Sequence, residues 1–268
     1  MNDLQDVIAK LTGARHVTLS RFASGDLSAL MLAETEDGRQ FVVKGGPAPA
    51  VEGEMLRLIA ATGAPAPEVV AANERVLIIT RVEGRSGFAG AQADLGRSLS
   101  KLHAATGEQY GFDHDYAFGT VAIENDRTSS WVAFWRDRRL LNNIGHIPAD
   151  LARRVERLAG NLAAHLPDAP PAALLHGDLW SGNVMASSGH VTAFIDPACY
   201  YGHAEVDLAM LNLFGSLDQG FYASYPRLEP GYLERQAIYS LWPALVHLRL
   251  FGGGYRSMVE GFLSRAGH

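Results

Sequence analysis

Apolar positions recur with two different periods along this chain, and the point where one gives way to the other divides it. An amphipathic helix is predicted near Leu4 to Leu11, and after it come the alternating runs HVTLSRFAS, LSALMLAET and RQFVVKGG. Between the second and third, EDGR places Asp37-Gly38 where a tight turn demands residues tolerant of positive φ, so these runs read as an antiparallel meander. AVEGEMLRLIAA predicts a helix over residues 50–61, with Met55, Leu58 and Ile59 on one face and Gly63 and Pro65 ending it. Two further strands follow in PEVVAANERVLIIT, around Asn73-Glu74.

From Ala91 the period becomes helical. AQADLGRSLSKLHAAT sets Leu95, Leu99 and Leu102 on one face, and similar patterns recur in WVAFWRDRRLLNN, ADLARRVERLAGNLAAHL, EVDLAMLNLFG and from Gly231 to His247. Strand signals in this half are confined to LLHGDLWSGNVMASSGHVTAFIDPACYYGH, Leu174 to His203. The expected organisation is α+β: a β-rich lobe over residues 1–79, a connector over 80–87 and a helical lobe over 88–268.

Composition narrows what such a chain does. With 268 residues, 47% hydrophobic and 19% charged, it is long enough for two lobes with buried cores and too apolar for a disordered chain. The formal net charge is −6, from 23 basic and 29 acidic residues, and the pairs Arg138-Arg139 and Arg153-Arg154 are the longest basic runs. That excludes the electrostatic footprint of a nucleic-acid binder. A single cysteine, Cys199, forbids an intramolecular disulfide or a C-x-x-C metal site and reads as a small buried apolar residue. No stretch approaches the ~18 consecutive apolar residues of a membrane span, and MNDLQDVIAKLTG lacks the apolar core of a signal peptide. A cytoplasmic protein that binds neither nucleic acid nor membrane is expected.

The candidate chemistry is concentrated in the one strand-bearing stretch of the second half. HGDLWSGN has the form H-x-D-L-x-x-x-N, and VTAFIDP follows as a strand ending in an acid. This spacing matches the catalytic loop of eukaryotic-like kinases. Phosphoryl transfer from ATP uses Mg²⁺, which prefers hard oxygen ligands, and Asn183 and Asp196 can supply them. A separate carboxylate, Asp178, must stand off the metal to orient and deprotonate the attacking hydroxyl. His176 and Gly177 read as residues that hold the loop. A lone D-x-x-x-x-N is more often a turn than a site; the upstream histidine and the strand-borne acid separate this stretch from that ordinary case.

A kinase also needs a lysine late on a strand, paired with a helix glutamate and touching the phosphates. FVVK supplies Lys44, and the following helix offers Glu52 and Glu54. Glu54 is preferred here because it directly precedes the apolar face that begins at Met55. FASGDLSALML sets Ser24, Gly25 and Asp26 between two β-runs, where backbone N–H groups could cover phosphates. The connector would hold adenine through the backbone of about Thr80 and Val82.

These motifs, with LGRSLSKLHAATGEQYGF, FGTVAIEN, SSWVAFWRDRRL, IDPACYYGHAEVDLAM, LFGS and LEPGYLERQAIYSLWPALVHLRLFGGGY, resemble the fructosamine kinase (ketosamine-3-kinase) family within the aminoglycoside-phosphotransferase-like kinases. Trp180 in D-L-W-S-G-N and the terminal F-G-G-G-Y set the resemblance apart from generic aminoglycoside or choline kinases. It covers nearly all of the chain from Lys44 onward. It implies a protein-kinase-like two-lobed fold, with an N-terminal antiparallel β-sheet lobe carrying one helix and a mainly helical C-terminal lobe. It also implies ATP-dependent phosphorylation of the sugar 3-hydroxyl of a ketoamine, a ribulosamine or fructosamine, free or on a glycated protein lysine. This is a deglycation-type repair, carried out by a monomer or weak homodimer.

Carried over by motif, Asp178 would be the base, Asn183 and Asp196 the Mg²⁺ ligands, and Lys44 with Glu54 the phosphate clamp. Trp180 either packs on the substrate or anchors the helices, and Asp207 caps or braces a loop. Ser24-Gly25-Asp26 departs from the Gly-Gly-Ser or Gly-Gly-Cys turn usual in the family, and an acid beside triphosphate is unexpected. Two alternatives stay open. An aminoglycoside or other amino-alcohol kinase of this fold would need a cluster of acids near the C-terminus, where only Glu260 occurs. A catalytically silent nucleotide-binding module would tolerate loss of Lys44, Asp178, Asn183 or Asp196, and all four are present.

Overall fold

In the computed structural model, which describes residues 2–24 and 29–268, strands β1 (Val17–Ser24), β2 (Ala29–Thr35), β3 (Gln40–Lys44), β4 (Val69–Ala72) and β5 (Leu77–Thr80) build one antiparallel sheet in the order β1-β2-β3-β5-β4. The turn between β2 and β3 falls at Asp37-Gly38, where Gly38 has φ +80° and its N–H donates to Thr35 O at 2.9 Å.

Two helices pack on this sheet, where the resemblance implied one: α1 (Asn2–Thr12) and α2 (Pro49–Ala61). Ile8 of α1 is fully buried, so the N-terminal segment covers a sheet face instead of trailing from it. The two-residue period of β3 divides its side chains between the helices. Phe41 and Val43 pack with Ile8, whereas Val42 packs with Leu56 of α2. Lys44 shares the face of Val42 and therefore points toward α2.

The buried stripe of α2 is Glu52, Met55, Leu56 and Ile59, at helical spacing. Leu56 belongs to the sheet's own core, and Met55 and Ile59 to the large core of the helical lobe, so α2 is shared between the two. Its approach to the sheet depends on Gly53: a Cβ there would stand 2.6 Å from Ala72 Cβ.

The second part of the chain is mainly helical, with α3 (Gln92–Leu102), α4 (Trp131–Phe134), α5 (Ala149–Gly160), α6 (Glu205–Leu211), α7 (Gln219–Ser224), α8 (Tyr232–Phe251) and α9 (Arg256–Arg265). WVAFWRDRRLLNN is not one α-helix. After α4 the chain widens into a π-helical turn over Trp135–Leu140 and tightens into 3₁₀ geometry over Leu141–His146. The widened turn carries Arg139 into the core. There its guanidinium lies 4.2–4.8 Å from the rings of Phe134, Tyr200 and Trp242.

Short strands also occur where no alternation was visible: β6 (Arg85–Ser86) and the hairpin β7 (Tyr116–Phe118) and β8 (Val121–Ile123). In the Leu174–His203 stretch, β9 (Ala173–Leu175) pairs with β12 (Tyr200–Gly202), and β10 (Val184–Ser187) pairs with β11 (His190–Phe194), with β6 on the edge of β10. Among the described residues, no helix is long and apolar enough to cross a membrane.

The Gly53 contact generates a stability test. Gly53→Val should destabilise the protein by about 2 kcal/mol through overpacking against β4, seen as a lower thermal midpoint. Gly45→Ala, where an added Cβ meets nothing within 4 Å, should leave the midpoint unchanged. Equal midpoints for both variants would refute the close packing of α2 on the sheet.

Candidate active site

The loop between β9 and β10 carries Asp178, and backbone geometry holds it from both sides. Gly177 has φ +81°, and a Cβ there would lie 2.0 Å from Ala198 O, so only glycine fits between the two segments. Asp207, in the first turn of α6 and fully buried, accepts the N–H groups of His176 at 2.8 Å and Gly177 at 3.0 Å. A third contact joins it to His103 Nε2 at 3.0 Å, and His103 Nδ1 meets Tyr225 OH at 2.7 Å. Asp207 is thus a loop brace; the helix N-cap position belongs to Ala204.

His176 ties the two halves of the site together. Its Nε2 donates to Ile195 O at 3.0 Å, which leaves Nδ1 to accept the Asp178 N–H at 3.3 Å. Burial holds this imidazole below its ordinary pKa, in keeping with a neutral supporting role.

Asn183 gives both amide hydrogens to Asp178, at 2.8 Å to its carbonyl and 3.0 Å to Oδ2. Its remaining polar side-chain atom is Oδ1. Asn183 and Asp196 flank the open end of the β10–β11 hairpin, where Ile195 N–H donates to Asn183 O at 3.0 Å. Removal from water, followed by the negative charge of Asp196, pushes Asp178 up to about 7, against the opposing hydrogen bond from Asn183. A carboxyl tuned to that range is suited to exchange a proton near neutrality.

Asp196 sits in the left-handed region at φ +53°, which costs a non-glycine residue about 1–3 kcal/mol and is more common at functional sites than elsewhere. That turn delivers its carboxylate to Lys44, with Nζ and Oδ1 2.6 Å apart. Lys44 Nζ also lies 2.7 Å from Glu52 Oε1. Burial pulls the ammonium down, but the charges of Glu52 and Asp196 outweigh it and hold Lys44 above its ordinary pKa.

The lysine's partner is therefore Glu52 and not Glu54. Successive helical residues turn by about 100°, so the position beside Met55 faces away from the stripe formed by 52, 55, 56 and 59. Glu54 is half-exposed and meets His114 at 3.3 Å instead.

The positions expected to meet the nucleotide fall at opposite ends of the sheet, since Lys44 pairs with Leu77 while Thr80 pairs with Phe41 toward the other end of β3. Ser24 closes β1 opposite Ala29, and Leu30 pairs with Lys44, so these two strand ends lie at the Lys44 end; Gly25 and Asp26 are outside the described residues. The Thr80 N–H is taken by Glu68 O at 2.9 Å, and its Oγ1 accepts the Glu68 N–H at 3.0 Å. This leaves the Thr80 carbonyl and the backbone of Val82 as the connector's candidate contacts.

Trp180 is 36% exposed. Its ring lies over Gly182, where a Cβ would come within 2.3 Å of the indole. Its edge meets Phe214 at a centroid distance of 6.3 Å, and Phe214 continues to His247 at 5.2 Å and His247 to Tyr255 at 5.0 Å. His247 donates Nδ1–H to Pro243 O at 2.7 Å, and burial lowers its pKa, so it is a neutral member of an aromatic wall. The wall draws its members from the β9–β10 loop, the segment after α6, α8 and the turn that follows α8, so the fold and not one local spacing assembles it.

The family model for fructosamine kinase matches residues 4–266. A "Probable ketoamine kinase" of Synechocystis sp. is 37% identical over 184 residues, 64% of this chain and 60% of that protein. The chloroplastic protein-ribulosamine 3-kinase of Arabidopsis thaliana is 36% identical over 188 residues, 66% of this chain and 57% of that protein. The chain thus matches about three fifths of the length of these relatives. A solved structure from Thermobifida fusca, assigned as a fructosamine-3-kinase, superposes with a TM-score of 0.90 at 30% identity and covers 99% of both chains. A thermostable aminoglycoside phosphotransferase APH(4)-Ia, solved in a ternary complex with ADP and hygromycin B, shares the kinase fold at a TM-score of 0.65 and 18% identity, over 99% of this chain and 94% of that one. With its two-lobed kinase fold and a family match running almost from end to end, the chain belongs to the fructosamine kinase family.

Proposed function

We propose that this protein is an ATP-dependent kinase that phosphorylates the sugar 3-hydroxyl of ketoamines, ribulosamines or fructosamines. The observation that carries this reading is the convergence of Asp178, Asn183, Asp196 and the Lys44–Glu52 pair beside an aromatic wall, in a chain of this family. Asn183 Oδ1 and the half-exposed Asp196 carboxylate are hard oxygen donors flanking one hairpin end, the ligand type that Mg²⁺ prefers. Bound there, Mg²⁺ would supply charge neutralisation on the phosphates.

In this reading Asp178 accepts the proton of the attacking 3-hydroxyl as the new O–P bond forms and the bond to the leaving ADP breaks. Asn183 fixes the orientation of that carboxylate. Lys44 holds phosphate oxygens, and the end of β1 at Ser24 lies on its side of the sheet. The Thr80 carbonyl and the Val82 backbone face the adenine. Trp180 offers a flat apolar surface to the sugar, and the wall beyond it receives the amine-bearing part, a free amine or a glycated protein lysine.

Two further points support the ketoamine reading over a polycationic antibiotic. The wall is neutral, and Glu260, the acid noted near the C-terminus, is already paired with Arg256 at 2.8 Å. The lone cysteine, Cys199, is buried, as suits a reducing cytoplasmic setting.

Three substitutions test the assignment by steady-state phosphorylation of a ribulosyl- or fructosyl-lysine. Asp178→Asn should reduce kcat about 10³-fold and leave ADP affinity intact; parent-like turnover would sink the proposed base. Glu52→Ala should lower kcat/KM for ATP on the order of 100-fold through displacement of Lys44, while Glu54→Ala stays within about twofold of the parent. Trp180→Ala should raise the KM for the ketoamine about tenfold with little change in the KM for ATP, and the opposite pattern would move Trp180 out of the acceptor site.

A further inference from the structure

One buried contact beside this site has no place in the steps above. The Tyr116 hydroxyl donates to Glu52 Oε2 at 3.2 Å, while Glu52 Oε1 faces Lys44 at 2.7 Å. Glu52 is 2% exposed, so its carboxylate depends on protein partners for both oxygens. Among the described residues, Lys44 and Tyr116 are the side chains that supply them. Burial and then the charge of Glu52 drive the Tyr116 phenol far above its ordinary pKa, so it remains a donor throughout the working range.

The two ends of this contact belong to different parts of the molecule. Glu52 rides on α2, against the sheet, whereas Tyr116 opens the β7–β8 hairpin of the helical part. That hairpin is firmly mounted. Asp115 Oδ1 accepts the Asn125 N–H at 2.7 Å, and Asn125, 1% exposed, donates Nδ2–H to His114 O at 3.0 Å and accepts from Arg139 Nη2 at 2.7 Å. Arg139 in turn is enclosed by the rings of Phe134, Tyr200 and Trp242. The second bridge between the same hairpin and α2, His114 to Glu54, is half-exposed at both ends and contributes little in water.

We propose that Tyr116 is a positioning residue for phosphoryl transfer: it holds Glu52, and through Glu52 it sets Lys44 in register with Asp178 and Asp196 on the helical side. This rests on the reading of Lys44 as the phosphate-holding lysine. Because the mount is rooted in the helical core, the placement of the lysine is set by the part of the protein that carries the base.

Tyr116→Phe keeps the ring and removes only the donor. In the full chain it should lower kcat/KM for ATP about tenfold, the loss of one hydrogen bond to a charged group, with the KM for the ketoamine unchanged. Affinity for ADP with Mg²⁺, measured by calorimetry, should weaken by a similar factor. In a Glu52→Ala background the same substitution should have no further effect on either quantity. Parent-like values for Tyr116→Phe, or a second equal loss in the Glu52→Ala background, would overturn the proposal.

The nucleotide measurement needs no acceptor, so the two readings fail separately. If the parent turns over no ketoamine while Tyr116→Phe still weakens ADP binding only when Glu52 is present, the acceptor assignment falls and the role of Tyr116 stands. If the parent phosphorylates the ketoamine and Tyr116→Phe leaves ADP binding unchanged, Tyr116 alone is excluded.

Discussion

The buried ammonium of Lys44 is the constraint on which the rest of this structure turns. A charge taken out of water costs several kcal/mol unless it is paired at close range, and here the pairing is double, with Glu52 at 2.7 Å and Asp196 at 2.6 Å. Each partner reaches it through a separate structural concession. α2 lies close enough to the sheet only because residue 53 has no side chain, and Asp196 turns inward only by adopting a left-handed backbone. β3 contributes through its alternation, which puts Lys44 on the face of Val42 and not on that of Phe41 and Val43. Two consecutive elements, β3 and α2, and an acid 152 residues beyond the lysine are thus drawn to one nitrogen.

A second buried charge does the same work on the helical side. Asp207 is satisfied by two backbone N–H groups of the catalytic loop and by His103, so its carboxylate converts the start of α6 into a fixed support for Gly177. The loop then needs little intrinsic stiffness. His176 links the Asp178 amide to the Ile195 carbonyl and so joins Asp178 to the strand end that bears Asp196.

What could be read in the sequence follows from the range of the interactions concerned. The meander, α2, the catalytic loop and Lys44 are local patterns, and each depends on residues a few positions apart. Glu52 was within reach of the same reasoning, since 52, 55, 56 and 59 form a helical stripe. Adjacency to Met55, which favours Glu54, is the wrong criterion there, because successive helical positions turn by about 100°. The β7–β8 hairpin has three residues per strand, too few for a period to register. The break in WVAFWRDRRLLNN was hidden for a different reason: its apolar spacing suits an α-helix, and the π-helical turn answers to Arg139, a cation whose aromatic enclosure is assembled from residues 134, 200 and 242.

The charge distribution around the acceptor side also bears on specificity. The acids nearest the reacting position, Asp178 and Asp196, are engaged by Asn183 and Lys44, and Glu260 is engaged by Arg256. The surface that continues from Trp180 through Phe214 to His247 and Tyr255 is aromatic, with an imidazole that burial keeps uncharged. A ligand bearing several ammonium groups would lose hydration along this wall and gain little Coulombic return. A sugar joined to one amine presents apolar C–H faces and a single polar substituent, which is the pattern an aromatic surface accommodates with least desolvation. On the proposed reading, selection between those two acceptor classes would reside in the aromatic wall, and the chemistry common to both in Asp178 and the lysine pair.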